Sequence, residues 1–333
     1  MENTKMESKR NTKVKWNNKV KLIISDVDET VADLYVPADP KMADELAKLL
    51  KEGRSIFFVT GQSVDSIQWR IVEQIPKDLR RRILIGHCSG AEVLGYDEQG
   101  NRKEKPYYSV YEQAMTQRQK EKWRDVVKQL VQEFQLEVYS TMSVEEFKKK
   151  AGDHPKAIML EDRGPQITFE VVNGYDLTPE QAAKLETDVP ETNGSYDLRI
   201  PIVERAQQLI DEANLPVSPK IAGVFAVDLT VKGVNKTTSV KRVLEDPGIL
   251  SSIGLNKEDL DDPNHIEVWG DKFSTIRGGT DRHISEALPQ AVRSIDFREE
   301  NPEEFETSYN IVLWKGQNHL HHGLLEYLQS RHE

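Results

Sequence analysis

Lys21-Leu22-Ile23-Ile24-Ser25-Asp26-Val27-Asp28-Glu29-Thr30 (KLIISDVDET) is the stretch on which the reading turns. Its first half is an apolar run bounded by polar residues, the pattern of a strand buried on both faces of a parallel sheet. Its second half puts two carboxylates, Asp26 and Asp28, on the loop that leaves this strand. In an open α/β sheet, ligands sit at the carboxyl ends of the strands. Two acids so placed can converge on one oxygen-ligated cation, preferably Mg2+. One of them can also serve as a nucleophile towards phosphorus. The bland reading of the same residues is an acidic loop with a turn-starting threonine, so the choice rests on the other strand ends.

Outward from this stretch the chain alternates. An amphipathic helix is expected over 39–51, with Met42, Leu46, Leu49 and Leu50 at helical spacing and Gly53 as its stop. A buried strand follows at 55–59 (SIFFV), a helix over 64–74, and a third strand at 82–85 (RILI). Strand–helix alternation of this kind argues for a doubly wound α/β layer. A hairpin is expected over 91–96, with turn chemistry at 97–101.

From residue 108 the texture changes. A single long charged helix is expected over 112–134, two strands over 157–172 joined at Arg163-Gly164-Pro165, helices over 178–185 and 201–213, and strands within 221–231. Runs of strands and helices in place of alternation describe an inserted α+β unit. Alternation then resumes, with helix 237–244, strand 265–269, helix 282–287, strand 291–296 and a closing helix at 320–328. The expected organisation is a basic tail (1–19), a first part of the core (20–107), an α+β cap (108–232) and a second part of the core (233–333).

Composition narrows the function classes. With 333 residues, two domains are the prior, and the length supports a sizeable core without staples. A chain that is 37% hydrophobic and 30% charged is of soluble globular type. Its formal net charge of −11 makes a phosphate-backbone partner a poor fit, so no nucleic acid is expected. No run reaches the roughly 18–20 apolar residues that cross a bilayer, so no membrane partner is expected either. The single cysteine, Cys88, excludes an intrachain disulfide or a cysteine zinc cluster and fits a reducing, cytoplasmic setting. It reads as a small buried apolar residue. The first eighteen residues have no apolar core and are not expected to be a secretory signal. Lys5, Lys9, Arg10, Lys13 and Lys15 give them a basic character.

Three more strand ends carry chemistry. Phe58-Val59-Thr60-Gly61 offers a hydroxyl followed by a glycine, which suits phosphate oxygens. Lys236, in Lys232-Gly233-Val234-Asn235-Lys236-Thr237-Thr238, opens a helix after a glycine turn and can neutralise a phosphoryl group or crowded carboxylates. Trp269-Gly270-Asp271-Lys272 ends a further strand with an acid, and the loop runs on through Arg277-Gly278-Gly279-Thr280-Asp281. Asp271 is the natural third acidic anchor for a cation, with Asp281 as a partner behind it. Each signal alone is modest, but their occurrence in this order is hard to obtain by chance.

In that order the four segments resemble motifs one to four of the haloacid dehalogenase superfamily of phosphotransferases. The insertion between the second and third motifs resembles a C2 cap of C2B type. The nearest likeness is to the branch containing phosphomannomutases, sucrose-phosphate phosphatases and Cof-like sugar phosphatases. Asp228 stands eight residues before Lys236, as an aspartate does in phosphomannomutases, and GDKF…GGTD is similar to their GDKT…GGND. Cys88-Ser89-Gly90 stands where those enzymes have Glu-Asn-Gly. The resemblance implies a Rossmann-like core and a Mg2+-dependent enzyme acting on a small phosphomonoester. It implies Asp26 as nucleophile and metal ligand, and Asp28 as general acid/base that binds metal through its carbonyl. Thr60 and Gly61 would hold the phosphoryl group, Lys236 would fix it, and Asp271 would complete the metal site. Phosphoryl transfer is mainly positioning and charge stabilisation, so these are the parts it requires.

The chain also departs from that branch. The acidic loop is longer, Thr280 replaces an asparagine, and Arg163 is the sole arginine in and just after the hairpin that would grip a second phosphate. This favours hydrolysis of a monophosphate, with a sugar phosphate as the first guess. A sugar phosphomutase is the alternative, and a non-catalytic binding protein of the same fold is the third reading. Arg163 and Asp228 are the candidates for substrate contact. His319, His321 and His322 are read as a solvated helix start, and Trp269 as packing.

Overall fold

The computed structural model describes residues 14–185, 187–192, 194–276, 279–298 and 301–332. Lys5, Lys9, Arg10 and Lys13 of the tail, and Arg277 and Gly278 of the last motif, lie outside them.

The first strand, β1 (Leu22–Ser25), is buried at every position, as an apolar run inside a covered sheet must be. Helix α1 (Pro40–Lys51) starts where Asp39 accepts from Lys41 N–H and proline fills the first turn. Its Met42, Leu46, Leu49 and Leu50 face inward, and Gly53 ends it at φ 91°. Strand β2 (Ser55–Val59) follows. The helix expected over 64–74 is shorter: α2 (Val64–Arg70) gives way at Ile71 to a 3-10 turn, Val72–Gln74. Then come β3 (Ile83–His87), the antiparallel β4 (Glu92–Leu94) and, where the chain leaves this unit, β5 (Tyr108–Ser109).

The inserted segment, Ser109–Gly233, is a compact unit of its own. The single helix expected over 112–134 is in fact two, α3 (Val110–Ala114) and α4 (Gln117–Glu133). Thr116 breaks it: its hydroxyl accepts from Gln119 N–H while the Gln119 side chain accepts from Thr116 N–H, a reciprocal cap that starts a new helix. Strand β6 (Glu137–Tyr139) and helix α5 (Val144–Ala151), unexpected from the sequence, come next. After β7 (Ala157–Asp162) and β8 (Gln166–Glu170), the helix expected over 178–185 is a single turn, α6 (Pro179–Ala182). A short ribbon, β9 (Glu191–Thr192) with β10 (Ser195–Tyr196), precedes α7 (Arg199–Glu212), β11 (Val217–Ala222) and β12 (Ala226–Val231). The five-stranded sheet of this unit runs β11-β12-β8-β7-β6.

The chain returns to the first unit at Val234. It adds α8 (Lys236–Glu245), α9 (Pro247–Ser252), β13 (Ile266–Gly270), α10 (Arg282–Ser285), β14 (Arg293–Asp296), β15 (Ile311–Leu313) and α11 (Leu320–Gln329). The eight-stranded sheet is ordered β15-β14-β13-β1-β2-β3-β4-β5. Strand β1 pairs in parallel with β13 on one side and β2 on the other, Ile23 lying opposite both Glu267 and Ile56. Chain order reverses at β1, so this is the switch point where an open sheet leaves a crevice. Side chains alternate between two apolar layers: Ile23 and Phe58 pack into one, Leu22, Ile24 and Phe57 into the other. Fully burying each such side chain is worth roughly 1.5–3 kcal/mol, which holds the strand ends in fixed register. Among the described residues, no helix is long and apolar enough to cross a membrane.

Candidate active site

Asp26 sits one residue beyond β1 and its N–H still bonds Trp269 O at 3.0 Å, so the sheet ladder fixes its backbone. The loop beyond turns back at once: Val27 O accepts from the N–H of Thr30, Val31 and Ala32, and Glu29 takes the left-handed φ of 63°. Thr30 is thereby aimed at the neighbouring strand end, its hydroxyl donating to Asp271 Oδ1 at 3.2 Å.

The loop after β13 closes on itself. Asp281 Oδ2 accepts the backbone N–H of Asp271 and Lys272, both at 3.0 Å. Gly270 makes this approach feasible, because a Cβ there would lie 2.8 Å from Asp281 Oδ2. The other oxygen, Asp281 Oδ1, takes the Lys236 ammonium at 2.8 Å. The same Nζ lies 2.6 Å from Asp26 Oδ1. Lys236 is the first residue of α8, where the Asn235 side chain caps the helix by accepting from Thr238 N–H.

Ligand atoms of Asp26, Asp271 and Asp281 all fall within 4.8 Å of one another, and all three residues are buried. The electrostatics follow. Burial, then the Asp281 charge, pushes Asp26 up to about 8 despite Lys236, with Asp271 and Asp28 adding to the rise. Asp271 rises to about 7 through burial and Asp281, against the pull of Lys272 and Arg298. Asp281 goes down: its burial opposes ionisation, but Lys236 and the backbone donors outweigh it. Lys236 goes up, because its two carboxylates outweigh burial. Two of three carboxylates are thus short of positive charge in a pocket of hard oxygen donors, which fits a small divalent cation.

Asp28 behaves differently. Its Oδ1 lies 2.8 Å from Arg70 Nη1, and its side chain keeps 19% exposure while that of Arg70 has none. Arg70, at the end of α2, also donates to Val36 O and Asp33 O, tying the β1 loop to the second strand–helix unit. Thr60, past β2, is held by Gly86 O and by Ser89 N–H, and its Oγ1 accepts from Gln62 N–H. A Cβ on Gly61 would meet open space, so neither packing nor backbone angle demands glycine there. Ser89 and buried Cys88 both adopt left-handed φ (59° and 50°), and Cys88 Sγ lies 3.3 Å from His87 Nδ1. The rings of His321 and His322 at the start of α11 lie 4.1 Å apart, tilted by 45°, and contribute to no acidic cluster among the described residues.

The structure therefore brings Asp26, Asp271, Asp281 and Lys236 together, with Asp28 two residues on in the same loop as Asp26 and Thr60 at the end of neighbouring β2. Arg163 and Asp228 belong to the inserted unit. There Arg163 Nε bonds Glu161 at 2.8 Å and its guanidinium lies 3.7 Å from Glu170. Asp228 accepts from Thr168 at 2.8 Å, and burial raises it although Arg163 pulls the other way. Sequence reasoning passed over Arg70, Glu29 and Arg298. Arg70 had a visible signal, a cation on the apolar face of a helix beside Ile67 and Ile71.

No protein-family model and no curated protein matches the chain. Solved structures do. A haloacid dehalogenase-like hydrolase from Bacteroides thetaiotaomicron superposes with a TM-score of 0.53 at 12% identity, covering 93% of this chain and 98% of that one. Trehalose-6-phosphate phosphatase from Aspergillus fumigatus is similar at a TM-score of 0.44 and 12% identity, over 97% and 94% of the two chains. IMP-bound IMP-nucleotidase from Plasmodium falciparum gives 0.48 at 13%, over 94% and 68%. The chain has the haloacid dehalogenase fold, an α/β core with a parallel sheet, as the order of its motifs suggested.

Proposed function

We propose that the chain is a Mg2+-dependent phosphomonoester hydrolase working through an aspartyl-phosphate. One observation carries the reading: the buried Lys236 ammonium bridges Asp26 and Asp281 beside Asp271, all at the carboxyl end of the sheet. In the first step a carboxylate oxygen of Asp26 bonds to phosphorus, and the bond to the leaving oxygen breaks. That oxygen departs with the electron pair and takes a proton from Asp28. In the second step Asp28 accepts a proton from water as the water oxygen attacks phosphorus; the bond to Asp26 breaks and phosphate leaves. Asp28 suits a group that meets substrate and solvent, being more exposed (19%) than Asp26 (12%) or Asp281 (1%). Thr60 and Gly61 would cradle the phosphoryl oxygens, and Lys236 would offset their charge.

Asp26, Asp271 and the Asp28 carbonyl would hold Mg2+, with Asp281 behind them. When bound, the cation would supply charge stabilisation to the phosphoryl oxygens. The substrate class is a small polar phosphomonoester, with a sugar phosphate first. A mutase needs a cation for a second phosphate, and the cap's candidate, Arg163, is engaged by Glu161 and Glu170, which favours hydrolysis.

The test is phosphate release from an aryl phosphate and from sugar, polyol and nucleotide monophosphates, with and without Mg2+. Mg2+-dependent release that Asp26→Asn abolishes is expected. Isomerised product with little free phosphate, and dependence on a bisphosphorylated activator, would point to the mutase. Inertness across the whole panel would leave the binding-protein reading.

A further inference from the structure

Asp271 is held more tightly than a waiting cation ligand needs to be. Arg298, two residues beyond β14, aims two donors at one of its oxygens: Nε at 2.9 Å and Nη2 at 2.6 Å from Oδ2. The Arg298 Nε also reaches the Asp271 carbonyl at 3.2 Å, and its backbone N–H is fixed by Asp296 Oδ1 at 3.0 Å. A guanidinium doubly bonded to a carboxylate is among the stronger charge-assisted contacts. A divalent cation on that carboxylate would share an oxygen with a positive group, and like charges at such range repel strongly.

A second carboxylate waits beside it. Glu29 Oε2 contacts the same Arg298 Nη2 that serves Asp271. Glu29 sits in the left-handed backbone of the β1 loop, its N–H bonded to Ala32 O at 2.8 Å. Lys272 lies 3.2 Å from Glu29 and 3.8 Å from Asp271 Oδ2, so the two acids share two cations. A small tilt of the guanidinium towards Glu29 would free Asp271 without stranding a positive charge.

We propose that Arg298 is a built-in competitor for the cation at Asp271, and that Glu29 is the carboxylate that receives it. The inference rests on Asp271 being a cation ligand, and it assigns Arg298 and Glu29 the setting of cation affinity. Both are positioning residues that act through Asp271.

The experiment is equilibrium Mn2+ binding to the intact protein, read by electron paramagnetic resonance and calorimetry, with a thermal melt of each variant. Arg298→Met should tighten binding by about tenfold, the scale of one partly exposed charge pair. Glu29→Gln should weaken it severalfold, because the guanidinium then has one carboxylate to hold instead of two. On the Arg298→Met background, Glu29→Gln should change affinity less than about twofold, since its effect runs through the arginine. Arg298→Lys, which keeps charge but not the paired donors, should fall between wild type and Arg298→Met. If Arg298→Met and Glu29→Gln both weaken binding, the pair merely scaffolds Asp271 and the proposal is overturned. Equal effects of Glu29→Gln in both backgrounds overturn it too. A wild-type protein that binds no Mn2+ overturns the cation reading along with it, a result distinct from wild-type binding that Arg298→Met fails to tighten.

Discussion

Burial gives one carboxyl group of the candidate site a pH-dependent cost in stability. Asp26 titrates near 8 in the folded chain against 3.8 as an ordinary side chain, chiefly because it is buried. Between those values the folded state binds the extra proton, so unfolding releases it, and stability falls as pH rises through this window. Asp271, raised to about 7, acts with the same sign over a narrower range. In chelator, Asp26→Asn should therefore raise the melting temperature at pH 8 and change it little at pH 4, as calorimetry would show. On the proposed reading the same substitution should cut turnover by about three orders of magnitude or more, because it removes the proposed nucleophile. Lys236→Met should cost about 10²–10³ in kcat while leaving Asp26 and Asp281 without their shared counter-charge, so its melt should worsen at high pH. An Asp26→Asn protein that matches wild type in turnover would sink the nucleophile assignment.

The elements decide whether these residues meet. Gly270 lets the loop after β13 fold Asp281 back under its own start, where a methyl would stand 2.8 Å from the carboxylate. Gly270→Ala should lose about 1–3 kcal/mol of stability and most of the activity, read from denaturant unfolding beside phosphate release. Buried Glu267 on β13 binds Trp269 Nε1, Tyr327 O–H and Arg293, pinning α11 to the sheet. Glu267→Ala leaves Arg293 beside a void, so a loss of about 3–5 kcal/mol is expected, measurable in the same unfolding curves. Elements with a strong apolar pattern were legible: β1, β2 and α1 needed only apolar runs, helical spacing and a glycine stop. The two-part helix at 110–133 was not, because Thr116 and Gln119 look like any polar pair until their mutual bonds are seen. Strands β6 and β15, of three residues each, were too short to show a period at all.

At the scale of the molecule, the acids, the hydroxyl and the lysine were readable because each follows a strand in a fixed order. The arginines around them were passed over. Arg70 and Arg298 lie far along the chain from the acids they serve, Asp28 for the first and, 269 residues away, Glu29 for the second, and no motif marks them. Chelation should expose the dependence of the whole: Mg2+ at 100 times its dissociation constant should add about 2.7 kcal/mol. That rise in melting temperature should vanish in Asp271→Asn, and an equal rise in wild type and variant would remove Asp271 from the metal site.

The inserted unit has a further effect on how the protein is made. Asp26 and Lys236 are 210 residues apart, and everything from Ser109 to Gly233 is translated between them. At ribosomal speeds of about 5–20 residues per second, the nascent acid waits roughly ten to forty seconds for its lysine. The insertion is one contiguous stretch, whereas its host sheet lacks β13, the neighbour of its central strand, until synthesis has passed Gly270. The later-born part of the chain is thus the partner for the first, and a polypeptide stalled in between presents an uncompensated carboxylate to whatever chaperone meets it.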